Sequence, residues 1–119
     1  MNLGPARVER TATCGVLSFP AEVDLSNGEA ILGQSERLLA AGVPALILDL
    51  TACAFCDSSG LNVILRSQAR ASELGIPMWV VLPHRGIVRR VSDVAGLPRR
   101  VAIAPDVATA REALAVPAR

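Results

Sequence analysis

Two stretches of this chain share one grammar. Residues 42–50 read Gly-Val-Pro-Ala-Leu-Ile-Leu-Asp-Leu, and residues 75–82 read Gly-Ile-Pro-Met-Trp-Val-Val-Leu. In each, the glycine suits the left-handed end of a helix and the proline forbids its continuation. A short unbroken apolar run follows. Runs of this kind fit strands buried on both faces, the condition of a parallel sheet covered by helices. The echo occurs only twice, so it is shared connection chemistry and not a repeat.

The segments before these strands have helical period. Residues 26–41 open on Ser26-Asn-Gly-Glu29, the pattern of a capping box, and place Ile31, Leu32, Leu38 and Leu39 on one stripe with Glu36 and Arg37 outside it. Residues 58–74 put Leu61, Ile64, Leu65, Gln68, Ala69 and Leu74 near one face, and Asn62, Arg66 and Arg70 at a spacing of four on the other. Residues 84–95 read as a third helix with Ile87, Val88, Val91, Val94 and Ala95 inward, closed by Gly96 and Pro98. Residues 100–104 make a short further strand, and Asp106 caps a last helix through about Ala115. At the other end, residues 6–13 and 15–20 read as two strands around Cys14-Gly15, antiparallel because so short a turn cannot make a crossover. The predicted order is β-β-α-β-α-β-α-β-α. It implies an α/β class, a mixed and mostly parallel sheet with helices packed on it, in one domain over residues 1–119 with a core at about 6–115.

Composition closes several functional routes. The chain has 119 residues, of which 51% are apolar and 19% charged, enough for one folded core. All twelve basic residues are Arg. A Schiff-base lysine, a phosphate-loop lysine and a Ser–Lys acyl-transfer pair are therefore excluded. His84 is the single histidine, so a multi-histidine metal centre is excluded too. Twelve basic against eleven acidic residues leave a charge of +1, which gives no general attraction to nucleic acid or to an anionic membrane. The charge is uneven: residues 84–119 hold seven Arg and three acids, residues 1–83 five Arg and eight acids. The basic set Arg85, Arg89, Arg90, Arg99 and Arg100 could make a patch for an acidic partner or for phosphate; the solvated face of an Arg-rich chain is the favoured reading. No leader pattern opens the chain and no apolar run is long enough to span a bilayer, so the expected place is the cytoplasm, with reduced thiols. Cys53-Ala-Phe-Cys56 has the C-x-x-C spacing, but the rest of a metal site is missing and Asp57 would raise the pKa of the second thiol. Both cysteines read as small buried apolar side chains.

The segment Asp49-Leu-Thr-Ala-Cys-Ala-Phe-Cys-Asp57-Ser58-Ser59-Gly60-Leu61 holds the chemistry. A buried strand ends near Leu50 and a polar cluster opens a helix near residue 58. Ligands and switches on open α/β sheets collect at such strand-to-helix turns. Asp57 or Ser58 fits the cap, and Gly60 admits close approach of another backbone. Three readings stand: a helix cap with spare polar residues, a nucleophilic serine, or a phosphorylation site. The second lacks the Gly-x-Ser-x-Gly elbow and has only His84 as a base. The third would place about −1.5 to −2 charges at the helix tip.

These residues resemble those of STAS domains, specifically the small free-standing bacterial anti-sigma factor antagonists. The carrying motif is Ala45-Leu-Ile-Leu-Asp49-Leu followed by Phe55-Cys-Asp57-Ser58-Ser59-Gly60-Leu61-Asn-Val-Ile-Leu65. Support comes from Arg70-Ala-Ser-Glu-Leu-Gly75 with Met78-Trp-Val-Val-Leu82, from Ile87-Val-Arg-Arg-Val91 with Val94-Ala-Gly-Leu97, and from the turn Ala21-Glu22-Val23-Asp24. The resemblance implies a switch and not an enzyme, with no cofactor. Ser58 takes the position of the phosphoacceptor, Asp24 helps form the docking surface, and Asp57 organises the loop. Ser59, Gly60, Asn62 and Arg66 complete the expected partner-binding set. The implied partners are an anti-sigma factor with ATP-dependent serine kinase activity and a serine phosphatase, with no direct nucleic acid and no membrane. The unphosphorylated form binds the kinase and frees a sigma factor; the phosphorylated form lets go.

Three positions depart from the family pattern. Pro20-Ala21 stands where a glycine is common, Cys56 replaces a larger apolar residue, and Asn62 replaces a small one. An alternative within the same family is a recruitment module that binds partners without modification of Ser58. A receiver domain shares the layered plan but needs a lysine, which this chain lacks.

Overall fold

Both Gly-x-Pro junctions fold as their residues dictate. Gly42 and Gly75 take φ of 79° and 70°, the left-handed region, just beyond helices α1 (Gly28–Ala40) and α2 (Ser58–Leu74). The apolar runs become strands β4 (Leu46–Asp49) and β6 (Met78–Val81). The protein is described by a computed structural model over residues 4–115.

A five-stranded sheet forms the middle layer, in the order β1-β2-β4-β6-β7. β1 (Arg7–Arg10) runs antiparallel to β2 (Gly15–Ser18), and β2, β4, β6 and β7 (Ala102–Ala104) are parallel. Each parallel step is bridged by one helix: α1, α2, then α3 (Ile87–Val94). Right-handed crossovers of this kind bring successive helices to one face of the sheet. The row Leu17, Leu48, Val80 and Ile103 packs on that face, with Ile31, Leu39, Ile64 and Val88 from the helices. The alternate row, Val16, Ile47 and Trp79, faces the other way and is covered by α4 (Val107–Ala115) through Ala110, Val107 and Leu114. Asp106 caps α4, accepting from the Thr109 amide at 2.6 Å. Glu9 at the sheet edge meets Arg111 of α4 at 2.9 Å; Glu9 is exposed and Arg111 half-buried at the surface, so the pair adds at most about 1 kcal/mol.

Several expectations are corrected. The capping box of Ser26 and Glu29 does not form. Asn27 occupies the cap position of α1 without a side-chain cap bond, and the Ser26 hydroxyl instead donates to Asp24. The nearer carboxylate of the Asp24 turn outcompetes a contact across a helical turn. On α2 the buried face is Gly60, Val63, Ile64, Ser67 and Ala71, while Ala69 and Leu74 are exposed. The stripe lies one position off the predicted one because α2 packs closely on α1, which favours small residues there. On α3 only Val88 and Ser92 are buried; Ile87, Val94 and Ala95 face solvent, since this short helix touches the sheet along a narrow line. The turn between β1 and β2 takes residues 11–14, with Thr11 folding it back onto Cys14. A two-residue parallel ribbon, β3 (Glu22–Val23) with β5 (Phe55–Cys56), was not legible in advance.

Helices α1 and α2 are joined at their centre by one polar contact. Ser35 Oγ and Ser67 Oγ lie 2.7 Å apart and both residues are fully buried. Ser35→Ala leaves the Ser67 hydroxyl without its partner, a loss of about 1–3 kcal/mol, whereas the double variant Ser35→Ala/Ser67→Ala loses less than the sum of the two singles. Urea unfolding of the three variants checks the non-additivity.

Candidate functional site

The polar cluster before α2 is built by the ribbon β3–β5, beyond the carboxyl ends of β2 and β4. Ala21 O accepts from both Ala54 N (2.7 Å) and Phe55 N (3.1 Å), and Asp57 N donates to Val23 O at 3.2 Å. The Pro20-Ala21 departure is accommodated here: β2 ends at Ser18 and the chain turns into β3 at Glu22. These bonds fix residues 54–57 as an extended lead-in to α2. Asp57 then caps the helix. Its backbone is extended (φ −95°, ψ −162°) and its Oδ1 accepts from Ser59 N at 2.7 Å. The carboxylate satisfies a free amide and meets the positive end of the helix dipole.

Ser58 is the first helical residue and is exposed. Ser59 is half-buried against Gly28 at the start of α1, where an added Cβ would lie 3.0 Å from the Ser59 Cβ. Gly60 is buried; a Cβ there would lie 2.7 Å from the Cβ of Cys56, closer than packing allows. The small Cys56 and the glycine together let the ribbon run directly beneath the first turn of α2. Beside Ser58 opens a cavity of about 380 Å³ lined by Leu25, Gly28, Glu29, Ser58, Ser59 and Asn62. Leu25 is 86% exposed, an apolar side chain held in water at the rim. One turn along α2, Arg66 reaches Glu29 at 4.0 Å, both well exposed.

The turn carrying Leu25 is organised from below by Asn27, which is 4% exposed. Its side-chain oxygen accepts from Asp24 N at 3.0 Å, and its amide nitrogen donates to Glu22 O at 2.9 Å and to Gly4 O at 3.2 Å. Asp24 in turn accepts at Oδ1 from Ser26 N (2.8 Å) and Ser26 Oγ (2.6 Å). The Ser26 hydroxyl bond, and after it the Ser26 amide bond, hold the Asp24 carboxyl below its ordinary value of 3.8.

Of the sequence-predicted residues, Ser58, Ser59 and Asn62 line one cavity, with Arg66 beside it. Asp57 lies behind them as the cap. Asp24 does not line the cavity; it shapes the turn from which its neighbour Leu25 does. Gly60 offers no surface to a partner and acts through close packing. Sequence reasoning missed Leu25, Asn27, Gly28 and Glu29. An apolar residue flanked by Asp24 and Ser26 in a turn was the one available signal. A larger open cavity, about 600 Å³, lies at the ends of β2 and β4 near Arg7, Ser18 and Asp49. Its one carboxylate is already engaged by Thr51, and no set of reactive groups converges there.

A mixed sheet with three crossover helices on one face and a capped seryl turn above it defines a small α/β domain. The STAS domain family model matches residues 5–110, and the chain belongs to that family. Among solved structures it is similar to an anti-sigma factor antagonist from Mycobacterium paratuberculosis, at 26% identity with a TM-score of 0.81 over 92% of each chain. It is similar in fold to the anti-sigma factor antagonist SpoIIAA in its unphosphorylated form, at 19% identity and a TM-score of 0.77, covering 95% of this chain and 99% of that one. The phosphorylated form of SpoIIAA from Bacillus matches at 19% identity and a TM-score of 0.70, covering 91% and 98%. No curated protein sequence matches the chain. Among the described residues, no helix is long and apolar enough to cross a membrane.

Two measurements follow from this geometry. Asn27→Ala removes three hydrogen bonds and costs roughly 3 kcal/mol, taking about 1 kcal/mol for each, read by chemical denaturation. The Asp24 carboxyl titrates below a free aspartate, so its stabilising effect is present above the unfolded pKa and fades as pH falls through the folded one. Ser26→Ala moves the Asp24 titration, followed by NMR, back up toward 3.8.

Proposed function

We propose that this chain is an anti-sigma factor antagonist switched by phosphorylation of Ser58. Its partner is an anti-sigma factor with ATP-dependent serine kinase activity, and a serine phosphatase resets the cycle, in the cytoplasm. The observation that carries this reading is the placement of Ser58: exposed, on the first residue of a capped helix, beside an open cavity with an apolar rim. An exposed hydroxyl on a rigid helix end is reachable by a nucleotide on a docked partner.

The physics of the helix end favours a switch of binding and not of fold. A phosphate on Ser58 meets the free amides and positive dipole end of α2, so the domain tolerates it. The same fold carries phosphate elsewhere, since SpoIIAA has been solved in both forms and each superposes on this chain. The change falls on the interface. A dianion beside Glu29 and Asp57 adds to negative charge already at the site, and burying it against a partner that holds ATP costs desolvation and repulsion. A penalty of about 3 kcal/mol weakens binding by about two orders of magnitude. Leu25 supplies the apolar contact of the docked state, Asn62 and Arg66 its polar flank, and Asp24 and Asp57 hold the two loops in register.

Wild type and Ser58→Ala are incubated with the cognate anti-sigma kinases and ATP, and intact mass is read. The expected result is a gain of about 80 Da in wild type alone, the mass of one phosphoryl group. Ser58→Asp is expected to keep the fold and lose kinase binding by at least tenfold. An unmodified wild type with every cognate kinase overturns the switch, and undiminished binding of Ser58→Asp overturns its electrostatic basis. Binding that survives both results would mark a recruitment module.

A further inference from the structure

The larger cavity, about 600 Å³ and open to solvent, lies on the sheet face opposite α1, α2 and α3. The register places Arg7, Ser18 and Asp49 side by side on β1, β2 and β4. Val81, the next member of that row, packs with Val16, Ile47 and Trp79 on the α4 side, so the row faces that way. α4 reaches β1 two residues further along, at Glu9, and leaves this corner of the sheet open. Arg7 is exposed, Ser18 and Asp49 are half-buried, and the buried Phe19 and Pro20 close the floor. Two opposite charges stand here without meeting. Among the described residues Arg7 makes no ion pair; the arginines that do are Arg66, Arg70, Arg89 and Arg111. Asp49 uses Oδ1 to accept from the Thr51 amide (3.0 Å) and the Thr51 hydroxyl, and its second oxygen has no partner among the described residues. Neighbouring strands lie about 4.8 Å apart, so the Arg7 and Asp49 backbones stand about 10 Å apart with Ser18 between them.

We propose that this cavity is a binding site for a free α-amino acid, held by Arg7 at its carboxylate and by Asp49 at its ammonium group. A guanidinium takes a carboxylate through two parallel hydrogen bonds, and the open oxygen of Asp49 accepts from an ammonium. The Ser18 hydroxyl, standing between them, can serve either end. An inorganic anion would satisfy Arg7 but meet the charge of Asp49, and a metal cation would meet the charge of Arg7. A nucleotide carries too much negative charge for a cavity that holds a carboxylate. Only a small ligand with both signs complements both groups. Phe19 and Pro20 on the floor favour an apolar side chain on that ligand. A cavity of this size, with apolar walls and a few polar groups directed at one ligand, suits a small molecule.

The cavity also touches the segment that presents Ser58. Ala21 and Thr51 both line it. The Ala21 carbonyl accepts the Ala54 and Phe55 amides, the bonds that hold the lead-in to α2. The β3–β5 ladder is only two residues long, so this lead-in opens at small cost. A ligand that binds the closed form alone stabilises it by mass action. An amino acid seated against Ala21 and Thr51 therefore slows the opening of residues 54 and 55.

The test uses the full chain, isotope-labelled for NMR, with each of the common L-amino acids added in turn at millimolar concentration. At least one is expected to move the amide resonances of Ser18, Asp49 and Thr51 while those of α3 stay in place. If none does, the proposal is overturned. For the amino acid that binds, calorimetry is expected to show binding weakened at least about tenfold by Arg7→Gln and by Asp49→Asn, each of which loses a hydrogen bond to a charged group. Asp49→Asn keeps an acceptor for Thr51, and urea unfolding of both variants is expected to match wild type. Two derivatives probe the wild-type chain itself. The N-acetyl amino acid lacks the cation and the amino acid amide lacks the anion, and both are expected to bind at least about tenfold more weakly. Undiminished binding of either derivative overturns recognition of both charges. Amide hydrogen exchange at Ala54 and Phe55 reads the coupling: slower exchange with the amino acid bound supports it, and unchanged exchange overturns it. No readout involves a kinase, so the result stands apart from the phosphorylation of Ser58.

Discussion

The functional end of this domain depends on one buried amide. Asn27 binds Gly4 O, Glu22 O and Asp24 N at once, from a position almost wholly removed from water. A buried amide with its groups paired is rigid, because any displacement leaves polar atoms without water or partner. Asn27 thereby fixes β3, the turn through Leu25 and the first residue of α1 as one body. β3 in turn anchors β5, and β5 leads into the cap of α2. The position of Ser58 is set by a chain of hydrogen bonds that starts thirty-odd residues earlier.

The sheet and helices make that placement possible. Parallel strands send every crossover out at the same end, so the loops after β2 and β4 meet above the sheet. The small residues Gly28, Gly60 and Cys56 bring α1, α2 and the ribbon into close contact there, and the Ser35–Ser67 hydrogen bond holds the two helices along their length. The result is a rigid platform on which one hydroxyl and one leucine are left in water. Rigidity matters for recognition, since a preformed surface loses little freedom when a partner binds.

Charge gives the site its sense. Glu29 and Asp57 flank the first turn of α2 and Asp24 lies in the neighbouring turn, and each carboxylate has a local role: meeting Arg66, capping the helix, or shaping the turn through Leu25. Acceptors at a helix N-terminus stabilise the free domain. They also make the surface poor in tolerance for more negative charge at an interface.

Much of this was legible because it is local. The Gly-x-Pro junctions, the unbroken apolar runs and the Asp57-Ser58 start of α2 follow from backbone chemistry within a few residues, and the protein folds accordingly. What the sequence did not decide was the choice among competing partners. Ser26 turned to Asp24 and not to the helix it precedes, Ile87 and Val94 kept their helical period but found no core to enter, and Asn27 gained its role from Gly4 and Glu22, which reach it only in the folded chain. Periodicity tells which side chains share a face. Whether that face is covered, and which of several nearby polar groups wins a hydrogen bond, depends on distances between segments far apart along the chain, and those exist only once the layers have packed.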